Sequence, residues 1–298
     1  MRTTERPRHF GLAFASALLG LGAAAVTLLG PLVTGRIEYH VSAGARHQIM
    51  GGDIAGLILV APVSILAAVL MLRRHRAGPV VALGPAVYAI YMYSQLALGG
   101  DFDRYAGNSE RFFPLFLGLF VLGGLISIRG WILVDGEHLP AIPPRIAQRL
   151  GVFLLVMATF LTFGFHLPGL AEIWNGGLSS PEYVADPNVF WLVKLMDLGI
   201  VVPALLAIGV GLLRRSDWAE TAGYAAIGWM ALLASSVAGM AVVTQVRADP
   251  AASFVNTVVF GSFAVLSLVA AWLVYSPLFQ RDEIGHIPAR VNSLDLSR

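Results

Sequence analysis

Eight apolar stretches, each near the length needed to cross a bilayer, leave this chain little else to fold. They run near residues 10–34, 53–72, 79–98, 112–128, 150–170, 189–213, 221–243 and 254–277. A helix rises about 1.5 Å per residue, so roughly 20 apolar residues cover a hydrocarbon core of about 30 Å. In lipid every backbone N–H and C=O must be satisfied within the protein, and a helix does this segment by segment. The expectation is an all-α polytopic membrane protein with eight transmembrane helices, its surroundings a lipid bilayer.

Composition agrees. The chain is 57% hydrophobic and 13% charged, where soluble domains carry about a quarter charged residues, and its mean hydropathy is +0.73. A net charge of +2 over 298 residues gives no basic surface for nucleic acid. With no cysteine, disulfides, thiolate metal sites and cysteine nucleophiles are all excluded. The first run follows a basic leader, but it is longer than the apolar core of a signal peptide and reads as a retained helix.

Arginine placement sets the expected orientation, since short cytoplasmic loops collect basic residues. With the N-terminus inside, the inner segments hold Arg2, Arg6, Arg8, Arg73, Arg74, Arg76, Arg129, Arg145, Arg149, Arg214, Arg215, Arg281, Arg290 and Arg298. The outer segments hold only Arg36, Arg46, Arg104, Arg111 and Arg247. Both termini are therefore expected in the cytoplasm, with the protein in the inner (plasma) membrane. The expected organisation is a cytoplasmic leader 1–9, a first four-helix half 10–128, a Pro-containing cytoplasmic linker 129–149, a second half 150–277 and a cytoplasmic tail 278–298.

The two halves share a pattern. Span two reads DIAGLILVAPVSILAAVLMLRR and span six KLMDLGIVVPALLAIGVGLLRR, and Pro62 precedes Arg73 by the same interval as Pro203 precedes Arg214. Four helices per half would make the repeat parallel, about an axis along the membrane normal. Each proline should release the carbonyl four residues earlier, Ile58 and Gly199, and bend its helix.

Span two ending in Arg-Arg, the tyrosine-rich VYAIYMYSQLALG of span three, and DLGIVVPALLAIGVGLLRRSDW together resemble a family of uncharacterised bacterial multi-pass membrane proteins. The resemblance covers roughly residues 50–245. It implies the multi-span architecture and no activity, because the shared motifs are of a packing kind.

The informative residues are polar ones inside apolar spans. Lys194 is the only lysine in the chain, and Asp197 follows three residues later on the same helix face. Lys194 can extend to the outer surface, whereas the short Asp197 cannot. Asp197 is expected to face the interior in a polar cluster with Lys194 and with Tyr91 or Gln95. Tyr88, Tyr91 and Gln95 form one helical stripe on span three, and Tyr93 lies on another face. His166 and Thr162 share a face near the outer end of span five, where His166 reads most simply as an interfacial histidine. Asp53, after Gly51 and Gly52, reads most simply as the N-cap of span two, with a place in the pocket as the other reading. Ser235, Ser236, Asn256 and Thr257 read as helix-packing residues, and GLGAAAVTLLG and SVAGMAVV as close-contact stretches.

His40 and His47 stand seven residues apart in the first outer loop, a spacing that says little about shared coordination, so no metal is expected. Haem is not expected, because only His166 lies near a span. No metalloprotease, nucleophile-elbow or phosphate-loop motif occurs in a usable context, so no catalytic residue or cofactor is assigned. The candidate pocket is Lys194, Asp197, Tyr88, Tyr91, Gln95, Asp53 and His166. Buried ionisable residues usually mark pathways, which favours a small-solute or ion transporter with an outward-accessible pocket. The alternative is a non-catalytic membrane subunit or scaffold in which the Lys-Asp pair is structural.

Overall fold

The computed structural model describes residues 9–280 except 137, 138, 140, 178–180 and 251. The leader and tail expected to be cytoplasmic fall almost wholly outside the described residues. Among the described residues there is no strand. Eight helices are long and apolar enough to cross a membrane: α1 Phe10–Leu29, α2 Ala43–Leu72, α3 Ala77–Leu98, α4 Ser109–Val134, α5 Pro144–Trp174, α6 Pro187–Leu213, α7 Asp217–Val246 and α8 Phe254–Phe279.

Large apolar side chains stand on the outside of this bundle. Phe14, Leu195, Ile200 and Trp272 are exposed, while the polar Ser16, Asp53, His166 and Asp197 are buried. Water would not tolerate such a surface, and lipid requires it.

Several expected boundaries shift, and α1 stops at Leu29, short of the expected 34. α2 begins ten residues before Asp53, where Ser42 caps it by accepting from the Ala45 amide at 3.2 Å. Asp53 is therefore not an N-cap; it stands inside the helix, because the capping serine lies upstream and the chain stays helical through Gly51 and Gly52. α4 is not short and runs past Arg129 to Val134, and α5 continues beyond His166 to Trp174. The inter-half connection shrinks accordingly.

Prolines 62, 168 and 203 act alike. Each follows a widened π-helical turn, at Gly56–Val60, Phe160–His166 and Asp197–Val201. In those turns the amides of Ala61, Leu167 and Val202 bond to the carbonyls of Gly56, Thr162 and Asp197. A proline ring collides with the carbonyl four residues before it, and one wide turn makes room without ending the helix. The local pattern also recurs after the prolines. Arg74 and Arg215, the second arginine of each pair, have φ of 58° and 56°. Their neighbours close matching C-caps, His75 N–H to Leu70 O at 2.8 Å and Ser216 N–H to Gly211 O at 3.0 Å.

In each half, consecutive helices pack on one another and the first packs on the fourth. Between halves, α7 packs on α2 and α3, and α3 also reaches α6. Glycines allow the tightest crossings. At Gly51 and Gly239, where α2 meets α7, a Cβ on either residue would lie within 2.6 Å of the opposite backbone. Gly84 meets Gly228 where α3 crosses α7, and Gly20 of the first close-contact stretch meets Ala61 and Ser64. The packing role read for both stretches is what these contacts provide.

Candidate functional site

Asp197 begins the wide turn of α6 and is 6% exposed. Both its oxygens are engaged by side chains from other helices. Tyr91 of α3 donates its hydroxyl to Oδ1 at 2.7 Å, and Nε2 of His166, from the wide turn of α5, meets Oδ2 at 2.8 Å. The site therefore joins a helix of the first half to two of the second. Nδ1 of His166, Nε2 of Gln95 and Nε1 of Trp229 are buried nearby without a partner. The Trp229 ring stands edge-on to Tyr91 at 6.2 Å. Nδ1 of His166, unpartnered beside the satisfied carboxylate, leaves the centre spare hydrogen-bonding capacity.

The expected Lys194–Asp197 pair does not form. Nζ of Lys194 lies 3.3 Å from the centroid of the Phe190 ring, one turn earlier on α6. A long helical side chain leans toward the helix N-terminus, which carries the ammonium away from Asp197 and onto that ring. His166 takes the place expected for the lysine. Nor is it interfacial: it is 1% exposed and turned inward. Tyr88 is buried and donates to Ser236 of α7 at 3.2 Å, and Tyr93 stacks inside on Phe116 at 6.5 Å. Both rings lie inside the bundle. Thr162 bonds the Ala158 carbonyl of its own helix and takes no part.

Asp53 lies apart from this centre. It is 7% exposed, Thr27 donates to its backbone carbonyl at 3.3 Å, and its Oδ2 has no partner. Asp53 and Asp197 are each ten residues from the start of their helices, Ala43 and Pro187, which puts both about 15 Å in. Burial, and then the charge of Asp53, hold the Tyr39 phenol well above its usual range, so its buried hydroxyl keeps its proton.

Above the centre the loops interlock across the two halves. Asp186 accepts from the Ser42 amide at 2.8 Å and its hydroxyl at 2.5 Å, Tyr105 donates to Ala185 O at 2.8 Å, and Asn188 donates to Gly100 O at 2.9 Å. The two histidines expected in the first outer loop go separate ways: His47, within α2, meets Asp249 at 2.8 Å, while His40 meets Glu110 at 2.8 Å and Tyr105 O at 2.7 Å. Among the described residues no three His, Cys, Asp or Glu gather as a metal site.

Both nitrogens of His40 face acceptors, which only the imidazolium can satisfy. Burial pulls its pKa down, but the hydrogen bonds it donates to Glu110 and to the Tyr105 carbonyl outweigh it and leave the value raised. The sign follows from that. Stability from His40 is fully present below its ordinary value of 6.5 and is lost as pH rises through the folded value. The melting temperature should fall as pH is raised through this range, and His40→Gln should flatten that part of the profile. A profile unchanged by the substitution would show that the cap does not depend on the charge.

Length, composition and the buried polar interior define a multi-pass α-helical membrane protein. Comparison with family models, with curated proteins and with solved structures finds no match.

Proposed function

We propose that this protein lies in the inner membrane with both termini cytoplasmic and moves a small solute or ion through the His166–Asp197–Tyr91 centre. The observation that carries the reading is one buried carboxylate held by side chains from α3 and α5, with the second nitrogen of His166 left unpartnered. Ionisable groups are costly within a bilayer and mark ion or substrate pathways by default. Sites of this kind lie near the membrane midplane between halves, beside interrupted helices, and the wide turns of α5 and α6 supply the interruption. The halves are read as a parallel repeat, supported by the matched wide turns and arginine caps. The resemblance to uncharacterised bacterial multi-pass proteins belongs to the same proposal.

Because Asp197 and His166 are closed off, access from the loop side requires the cap to part. The same closure favours a second reading, a membrane subunit whose polar centre fixes helix packing. Reconstituted vesicles with a trapped pH-sensitive dye separate the two. Under an imposed pH gradient and clamped potential, the wild type should collapse the gradient faster than protein-free vesicles. Equal rates would overturn proton carriage by this centre.

Orientation has its own test. Reporter fusions at residue 104 should read external and at residue 75 cytoplasmic, as the fourteen-to-five arginine split implies. The reverse pattern would invert the scheme.

A further inference from the structure

The end of α1 has an unusual electrostatic balance. A helix C-terminus carries partial negative charge on its last carbonyls, and those carbonyls need donors. Three of the four find one: Val26 O accepts from Gly30 at 2.8 Å, Leu28 O from Thr34 at 3.2 Å and Leu29 O from Ile37 at 2.8 Å. Thr27 O does not, because the residue four places on is Pro31, which has no N–H.

Into this negative end points the unpartnered Oδ2 of Asp53. A Cβ built on Gly30 would lie 2.8 Å from that oxygen, 3.0 Å from Val26 O and 3.5 Å from Thr27 O. Without a side chain on Gly30, these three oxygens come close together beside its Cα. The Thr27 hydroxyl is also held at Asp53, donating to its backbone carbonyl at 3.3 Å. Among the described residues no Lys, Arg or His pairs with Asp53. A carboxylate facing a helix C-terminus repels it, so the arrangement calls for a positive charge.

We propose that Asp53, Val26 O and Thr27 O, with the Thr27 hydroxyl, bind a small monovalent metal cation of the sodium type. All the donors are hard oxygens, which suit alkali and alkaline-earth ions and not softer metals. One carboxylate neutralises a single charge, so a divalent ion would leave a net charge buried. Half-helix C-termini and backbone carbonyls coordinate sodium in this way in membrane transport folds. The site is separate from the Asp197 centre, and binding at equilibrium does not depend on whether the protein transports anything.

The test uses the purified full chain in detergent, with sodium chloride or choline chloride at equal ionic strength. Sodium should raise the melting temperature saturably, by about 5 °C, and radioactive sodium should bind at one site per chain. Asp53→Asn should abolish both effects. Gly30→Ala, which puts a methyl 2.8 Å from Oδ2, should weaken sodium binding at least tenfold (roughly one decade per 1.4 kcal/mol of lost contact), and it decides the matter if Asp53→Asn fails to fold. Equal melting in sodium and choline, or an undiminished sodium response in Gly30→Ala, would overturn the proposal. Stabilisation by acid alone, lost in Asp53→Asn, would assign a proton to the site and overturn the metal cation.

Discussion

Asp197→Ala is expected to destabilise the protein by about 3–5 kcal/mol, because it leaves the buried His166 and Tyr91 facing an empty site. Asp197→Asn should cost far less, about 1 kcal/mol. The amide oxygen can still accept from Tyr91, and the amide N–H can donate to Nε2 of His166 once the imidazole changes tautomer. Denaturation of the two variants side by side in detergent measures the difference. Equal and small losses would mean that the two hydrogen bonds on Asp197, at 2.7 and 2.8 Å, do not hold the helices together.

Gly51→Ala should be as damaging although it adds one methyl. Its Cβ would stand 2.4 Å from Gly239 O and from the Met240 N and Cα. All three are backbone atoms, so no rotamer change can make room, and α2 must move off α7. The loss should be about 3 kcal/mol, at the upper end for overpacking. Gly118→Ala is the control, since nothing lies within 4 Å of its Cβ position. It should be neutral or slightly stabilising, because alanine is the better helix former. If both variants melt alike, the close crossing of α2 and α7 is not what joins the halves.

The helices were legible in the sequence because lipid makes apolar length a near-sufficient signal. Their starts were less so: ten residues of α2 before Asp53 contain Arg46, His47 and Gln48, which read as loop by hydropathy alone. Ser42 was the better sign, a capping residue ahead of helix formers. Prolines 62 and 203 announced a disturbance, yet the outcome, one wide turn, depends on helical backbone continuing on both sides. The inward placement of Asp197 followed from energetics. Its partner did not, because spacing along a helix favours a near neighbour such as Lys194, while His166 arrives from a helix thirty-one residues earlier. One signal was available: His166 lies just before Pro168, and Asp197 lies six residues before Pro203, each in the wide turn that its proline imposes. At the end of α1, Pro31 told in sequence which carbonyl would lose its donor. Only packing shows that Asp53 faces it.

The reading that matters most is that Asp197 works as a site and is more than a structural joint. Proton flux through Asp197→Asn, in vesicles matched to wild type for protein content and with the variant shown to be folded, tests it most directly. Flux at the protein-free rate from a folded Asp197→Asn protein is the expected result. Flux equal to wild type would contradict the account and leave the centre a packing device.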